Sequence, residues 1–291
     1  MSHRHLTGSG LHYGYERGVE VLRGADLDVA PGSRVALLGA NGSGKSTLLQ
    51  CLAGTLRPDA GEISLDDRPI DRSRRGLRTH RQAVQLVFQD PDDQLFSADV
   101  AEDVAYGPVN LGLSATEVRE RVDRALDLLH ITDLRNRPTH QLSFGQRKRV
   151  AIAGAVAMRP CVLLLDEPTA GIDPCGVDAL FDTLAHLERA GTTVALSTHD
   201  TALALEWADS VAVMSAGVTR QDRPSIIFSD SGLLQQAQLK APWLTTLARD
   251  LVRDGILPPD VAPTTPEQLR CALRSAVADR QSAVPANGIM P

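Results

Sequence analysis

The residues GANGSGKST, Gly39 to Thr47, set three glycines, a lysine and three hydroxyls in the spacing G-x-x-x-x-G-K-[ST]. Glycines let successive backbone N–H groups curl around a phosphate, so Gly39, Asn41, Gly42, Ser43 and Gly44 read as a phosphate cradle. Lys45 is placed to reach the β- and γ-phosphates of a nucleoside triphosphate, and Ser46 to offer its hydroxyl to Mg²⁺. Thr47 belongs to the first helical turn, whose positive end faces the anion. A second group lies in CVLLLDEPTAGID, residues 161–173. Its apolar run delivers Asp166 and Glu167 to the C-terminal end of a strand, where open α/β sheets bind their ligands. Adjacent carboxylates can take separate tasks: Asp166 joins the Mg²⁺ shell, and Glu167 accepts a proton from an attacking water.

Both groups need strands that end at one edge of a sheet. Arg34–Leu38 (RVALL) is a short apolar run that ends in the glycines, and 45–52 then follows a helical pattern. Strands are also expected at 61–65, 84–88, 162–165, 193–196 and 211–214, with helices over 174–190 and 200–208. From about Pro91 to Pro160 the character is helical, with a capping box at Ser114-Ala-Thr-Glu117. Asp173-Pro174 reads as a helix start, with the carboxylate as cap and the proline in the first turn. Strands that alternate with helices imply a mostly parallel α/β sheet. Past Gly217 the signals weaken and prolines multiply, so 218–291 is expected to be a small C-terminal appendage with a frayed tail.

The bounds agree with a nucleotide-driven protein. A chain of 291 residues can bury a full core, and a net charge of −6 argues against a nucleic-acid partner. The four cysteines include no C-x-x-C pair, so neither a disulfide framework nor a zinc site is expected. The N-terminal MSHRHLTGSGLHYGY lacks the apolar core of a secretory signal, and the apolar stretches are too short to cross a bilayer. His3, His5 and His12 have no carboxylate or cysteine nearby to complete a ligand set and are expected in a mobile tail.

A third segment is LSFGQRKRVAIAGAVAM, residues 142–158, a Ser143-capped helix that is basic in its first half and small-residue in its second. Together, GANGSGKST, LLLDEPTAGID and this helix resemble the signature of ABC-type ATPases over about residues 5–220. The resemblance implies an ABC-type P-loop ATPase fold over 1–217. That fold has a mostly parallel sheet core, an antiparallel β part and a helical subdomain at about 91–160. It also implies roles for further residues. Tyr15, with Tyr13 as a nearby competitor, stacks on adenine. Gln89 couples Mg²⁺ and the attacking water to the helical subdomain, and His199 in STHD contacts the γ-phosphate. Ser143, Gly145 and Gln146 reach ATP bound to an opposing subunit, and Asp173 lies in the segment that crosses to it. Function then needs a dimer, with itself or with a sister ATPase. Phe144 departs from the family pattern, which mostly has glycine there, and its side chain is expected to point away from phosphate.

Within the family, a chromosome or repair ATPase would carry a long heptad insertion, and a translation ATPase a second cassette; neither is present. FQDPDDQLFSADVAEDVAYGPVNLGL, from Phe88, resembles the Q-loop stretch of cobalt and energy-coupling-factor importers. This implies an ATP- and Mg²⁺-dependent subunit on the cytoplasmic face of a membrane. Its partners are a membrane coupling subunit and a substrate-binding membrane subunit, and cobalt, nickel or a vitamin is the cargo. Gln94, Leu95 and Phe96 are expected to form an exposed apolar edge for that partner. Asp90, Asp92 and Asp93 either pair with its basic residues or form a solvated turn.

Overall fold

The apolar runs form strands, and their alternation decides which face each side chain fills. The computed structural model describes residues 3–16 and 18–283, the last five by backbone alone. In chain order the strands are β1 (Leu6–Glu16), β2 (Val19–Val29), β3 (Arg34–Leu38), β4 (Ala60–Leu65), β5 (Arg68–Pro69), β6 (Val84–Val87), β7 (Val162–Leu165), β8 (Thr193–Thr198), β9 (Ser210–Ser215) and β10 (Val218–Asp222). The helices are α1 (Lys45–Leu52), α2 (Arg74–Ala83), α3 (Val100–Asn110), α4 (Ala115–Leu128), α5 (Phe144–Ala157), α6 (Pro174–Arg189), α7 (Thr201–Trp207), α8 (Pro224–Ile227), α9 (Ser231–Gln236), α10 (Trp243–Arg253) and α11 (Pro266–Ala283).

Among the described residues the strands make two sheets. One has the order β10-β9-β3-β8-β7-β6 and is parallel except for β10; the other is antiparallel, in the order β2-β1-β4-β5. The central strands β7 and β8 are buried at every position, as a parallel sheet covered on both faces requires. Odd and even residues go to different cores. Leu163 and Leu165 face a cluster shared with Val104, Leu126, Ile152 and Leu184 of the helices, while Val162 and Leu164 face one shared with Leu48, Leu49 and Leu52 of α1. The α1 face carries the antiparallel sheet as well, through Leu6, Leu22 and Ile63. Helix α1 is therefore packed between the two sheets.

The start signals read from sequence appear as side-chain caps. Ser114 and Ser143 each form a capping box, and Asp173 accepts from Gly176 N–H at 2.9 Å with Pro174 in the first turn. Beyond residue 217, β10 hydrogen-bonds to β9, so the sheet extends past that boundary. Ile227, Phe228, Leu244 and Leu269 of the following helices join the helix-side core. The end of the tail read as frayed, 284–291, lies outside the described residues.

The mobile histidine tail is not what forms. His12 is inside β1 with Nδ1 3.0 Å from Glu20 Oε1, and His5 Nε2 lies 2.5 Å from Asp28 Oδ1. The partners come from β2, which the β1–β2 pairing lays alongside the histidines. Among the described residues no group of metal-ligating side chains converges.

Candidate nucleotide site

Strand β3 ends at Leu38, and the chain turns through the glycine loop into α1. The turn is possible because Gly44, the residue before the helix, sits at φ 108°, and a Cβ there would press on Met214, Val21 and Leu22 at 3.2–3.3 Å. The loop shapes a cleft of about 350 Å³ lined by Tyr15, Asn41, Gly42, Gly44, Lys45, Ser46, Thr47, Gln89, Asp166 and Glu167. Residues spread over more than 150 positions of sequence thus meet at the C-terminal ends of β3 and β7. Gly39 and Ser43 lie in the same loop: the Gly39 carbonyl accepts from Lys45 Nζ at 2.8 Å, and a Cβ on Gly39 would meet Ser43 Oγ at 2.6 Å. The Ala40 carbonyl also accepts from Lys45, at 3.2 Å.

The two adjacent carboxylates have different surroundings. Asp166 accepts from Ser197 Oγ at 2.5 Å, and the same oxygen accepts from the Glu167 N–H at 3.0 Å. Glu167 turns out of the strand at φ 45°, a left-handed conformation that costs a side-chain-bearing residue of order 1 kcal/mol. Its Oε2 accepts from His199 Nδ1 at 3.1 Å. Its Oε1 is buried 3.6 Å from Lys45 Nζ and has no hydrogen-bond donor among the described residues. This places an acceptor oxygen at the floor of the cleft, beside a cation.

Tyr15 and Tyr13 are now separable. The Tyr15 ring is 60% exposed at the cleft, with its hydroxyl 3.1 Å from Thr47 Oγ1. Tyr13 packs against the α1-side core and meets Tyr15 edge-on, with ring centroids 5.1 Å apart. Gln89 also lines an adjoining cleft with Ser46, Asp166, Phe88 and Phe144. Ser143, Gly145 and Gln146 line neither cleft, although Phe144 between them lines the second; Ser143 and Gln146 instead cap α5. Phe144 lies on Gly171, where an added Cβ would come within 2.6 Å of its ring, and it is within 6.0 Å of the Arg147 guanidinium.

Two functional neighbours escaped the sequence reading. Ser197 is the bridge just described. Lys148 is fully buried, and its ammonium donates to the carbonyls of Glu167 at 2.6 Å and Gln89 at 2.9 Å. Burial pushes its pKa down to about 8, against the opposing pull of Asp166, Glu167 and Asp90. The only sequence signal is its place in the basic run RKR, which does not say which of the three turns inward.

The loop after β6 differs from its expectation. Gln94 faces inward: its Oε1 accepts from Phe88 N–H at 3.2 Å, and its amide donates to the Ala151 carbonyl at 3.1 Å. Leu95 packs on the helix-side core. Buried Asp103 holds the Phe96 and Ser97 N–H groups at 3.0 and 2.9 Å, and Asp92 pairs with Arg147 at 2.8 Å. The residues that stay out are Phe96, 63% exposed, and Tyr106, 53% exposed, stacked edge-on at 4.5 Å, with Val109 nearby on α3. An exposed apolar edge exists, built by Phe96 with α3 in place of Gln94 and Leu95.

The chain is similar to several known proteins. A family model described as ABC transporter matches residues 22–170. The chain is 50% identical over 249 residues to the cobalt import ATP-binding protein CbiO of Rhodobacter capsulatus, covering 85% of this chain and 89% of that protein. It is 45% identical over 250 residues to the energy-coupling factor transporter ATP-binding protein EcfA2 of Clostridium perfringens, covering 85% and 88%. Among solved structures, CbiO1 of Clostridium perfringens, part of the ABC transporter complex CbiONQ, aligns with a TM-score of 0.70 at 43% identity. That alignment covers 84% of this chain and 98% of that one.

Proposed function

The chain belongs to the ABC transporter family and carries its ATP-hydrolysing domain, and from that premise we propose that it powers an energy-coupling-factor importer whose cargo is cobalt. The observation that carries the hydrolytic part is Glu167 Oε1, a buried acceptor without a donor among the described residues, 3.6 Å from Lys45 in the glycine-loop cleft. An oxygen so placed takes the proton of a water that attacks the γ-phosphate, and His199, on the other carboxylate oxygen, orients it. Backbone N–H groups from Gly39 to Thr47 and the α1 N-terminus hold the phosphates, Lys45 neutralises them, and Tyr15 stacks on the adenine.

Ser46, Gln89 and Asp166 line one cleft with three oxygen donors, the ligand type that Mg²⁺ selects. When bound there, Mg²⁺ would neutralise phosphate charge; the chain's own part is to orient these oxygens, which Ser197 does for Asp166. Because Ser143, Gly145 and Gln146 line neither cleft of their own chain, they are assigned to ATP on an opposing subunit, a second copy or a sister ATPase. The ATPase unit is taken as 1–217, with 91–160 as its helical subdomain and 218–291 as an appendage whose first strand, β10, continues the ATPase sheet.

The exposed Phe96, Tyr106 and Val109 supply the surface for a short apolar helix of a membrane coupling subunit. A separate membrane subunit binds the cargo, and the chain lies on the cytoplasmic face of the membrane. No described helix is long and apolar enough to cross it. Cobalt follows from the likeness to CbiO; nickel or a vitamin are the competing cargoes. Two measurements test this reading. Affinity purification from detergent-solubilised membranes should bring down a multi-spanning protein, and cells should lose uptake of radiolabelled Co²⁺ when the chain is deleted. Purification of the chain alone, or undiminished Co²⁺ uptake, would overturn it.

A further inference from the structure

Helix α5 enters the molecule with two side chains, four residues apart, on one face: Phe144 in its first turn and Lys148 in its second. Phe144 covers Gly171, in the loop that follows Glu167. The Lys148 ammonium lies 5.8 Å from the Phe144 ring centroid and donates to two main-chain carbonyls, Glu167 at 2.6 Å and Gln89 at 2.9 Å. Both carbonyls belong to catalytic candidates, and they come from loops at the ends of different strands, β6 and β7. The Glu167 peptide is therefore held at both ends, its N–H by Ser197 and its carbonyl by Lys148. It needs such holding, since its left-handed φ of 45° is a conformation that a free chain leaves readily.

We propose that Lys148 is a positioning residue for ATP hydrolysis, clamping the backbones of Glu167 and Gln89 to the helix that begins with Ser143. A buried cation is an expensive way to fill a core, and an apolar residue of the same length would fill the space. What the ammonium adds is several donors from one point, enough to tie the two loops just past the end of the β6–β7 ladder, whose last backbone bond runs from Asp166 N–H to the Val87 carbonyl at 2.9 Å. The tie also has a direction. The first turn of α5 carries the residues assigned to the opposing subunit's ATP, and its second turn grips this subunit's own base. A shift of α5 on dimer closure therefore moves Glu167 and Gln89 together. This inference rests on the reading of Glu167 as the base.

The test uses the full-length chain and separates chemistry from binding. Lys148→Met keeps the length of the stem and removes the donors; Lys148→Gln restores an amide donor that can reach one carbonyl. Hydrolysis should fall about 10- to 100-fold in K148M, the scale of an ångström-level misplacement of a catalytic group. The Kd for Mg-ATP should stay within about threefold of the parent, because no phosphate contact is lost. K148Q should recover part of kcat at the same Kd. Should K148M not fold, K148Q alone decides, by the same split between lowered kcat and retained Kd. Hydrolysis within about twofold of the parent in K148M would overturn the proposal, as would parallel losses of kcat, Kd and melting temperature that K148Q does not relieve. Glu167→Gln, measured alongside, distinguishes the two readings. An inactive E167Q with a normal K148M removes only the role of Lys148, whereas an active E167Q removes the assignment of the base itself.

Discussion

Ser197→Ala removes one hydroxyl from a fully buried position and should cost far more than its size suggests. The Ser197 oxygen donates to the Asp166 carboxylate at 2.5 Å and accepts from the Glu167 N–H at 3.0 Å; Ser197 is 0% exposed, and Asp166 and Glu167 are 4% and 5% exposed. A hydrogen bond to a buried charge contributes about 1.5–3 kcal/mol, and a buried N–H left without its acceptor costs about 1 kcal/mol more. The expected loss is therefore about 2–4 kcal/mol, with little added for the cavity, since only an oxygen is removed. In urea denaturation the midpoint should fall with the slope unchanged, and the melting temperature should drop by about 3–7 °C for a chain of this size. ATP hydrolysis should fall as well, because the same bonds aim both carboxylates. A loss below about 0.5 kcal/mol would refute the reasoning, since it would mean that neither group depends on the bridge.

Other variants probe separate parts of the molecule. Gly171→Ala should destabilise by about 1–3 kcal/mol, through its φ of 73° and the 2.6 Å approach to Phe144. Phe144→Ala in the same chain should relieve the steric part, which a double-mutant cycle in urea would read as a nonzero coupling. His80, 5% exposed and donating Nε2–H to the Leu52 carbonyl at 2.7 Å, has its pKa pushed below 6.5 by burial. The unfolded chain then takes up a proton that the folded chain refuses, so stability should fall as pH drops through about 6.5, and His80→Gln should flatten that slope. Melting curves between about pH 7.5 and pH 5 would check this, and equal slopes in both proteins would contradict it. Changing Phe96 and Tyr106 together to Asp should leave ATP hydrolysis by the isolated chain intact while abolishing copurification with the membrane subunit; retained copurification would remove the docking surface.

The parts of the site that could be read from sequence are those in which chemistry restricts residue type. The glycine loop needs three glycines and a lysine in fixed spacing, and the acid pair needs an apolar strand before it. Both leave patterns that survive without knowledge of the fold. Helix caps are legible for the same reason, as Ser114, Ser143 and Asp173 all cap in the structure. The long strands β1 and β2 leave a weaker trace. LTGSGLHYGYE has irregular burial and repeated register shifts against its neighbours, so its residues do not alternate cleanly. Helix α2 is mostly arginine and polar side chains and buries only His80, so it carries no apolar stripe. Gln94, Ser197 and Lys148 are polar residues that turn inward because distant elements present carbonyls, amides or carboxylates to them. Local sequence cannot show that geometry, and it explains why an acidic turn read as a docking edge proved to be pinned by its own chain.

The central claim is that Glu167 takes the proton from the water that attacks ATP. Glu167→Gln in the full-length chain keeps the shape and the His199 contact while removing the charge and the basic oxygen. Equilibrium binding of Mg-ATP and single-turnover release of phosphate, measured on the same preparation, test it most directly. The account predicts nucleotide bound at parental affinity and phosphate release slowed at least about 100-fold. Release at the parental rate, with binding intact, would contradict it.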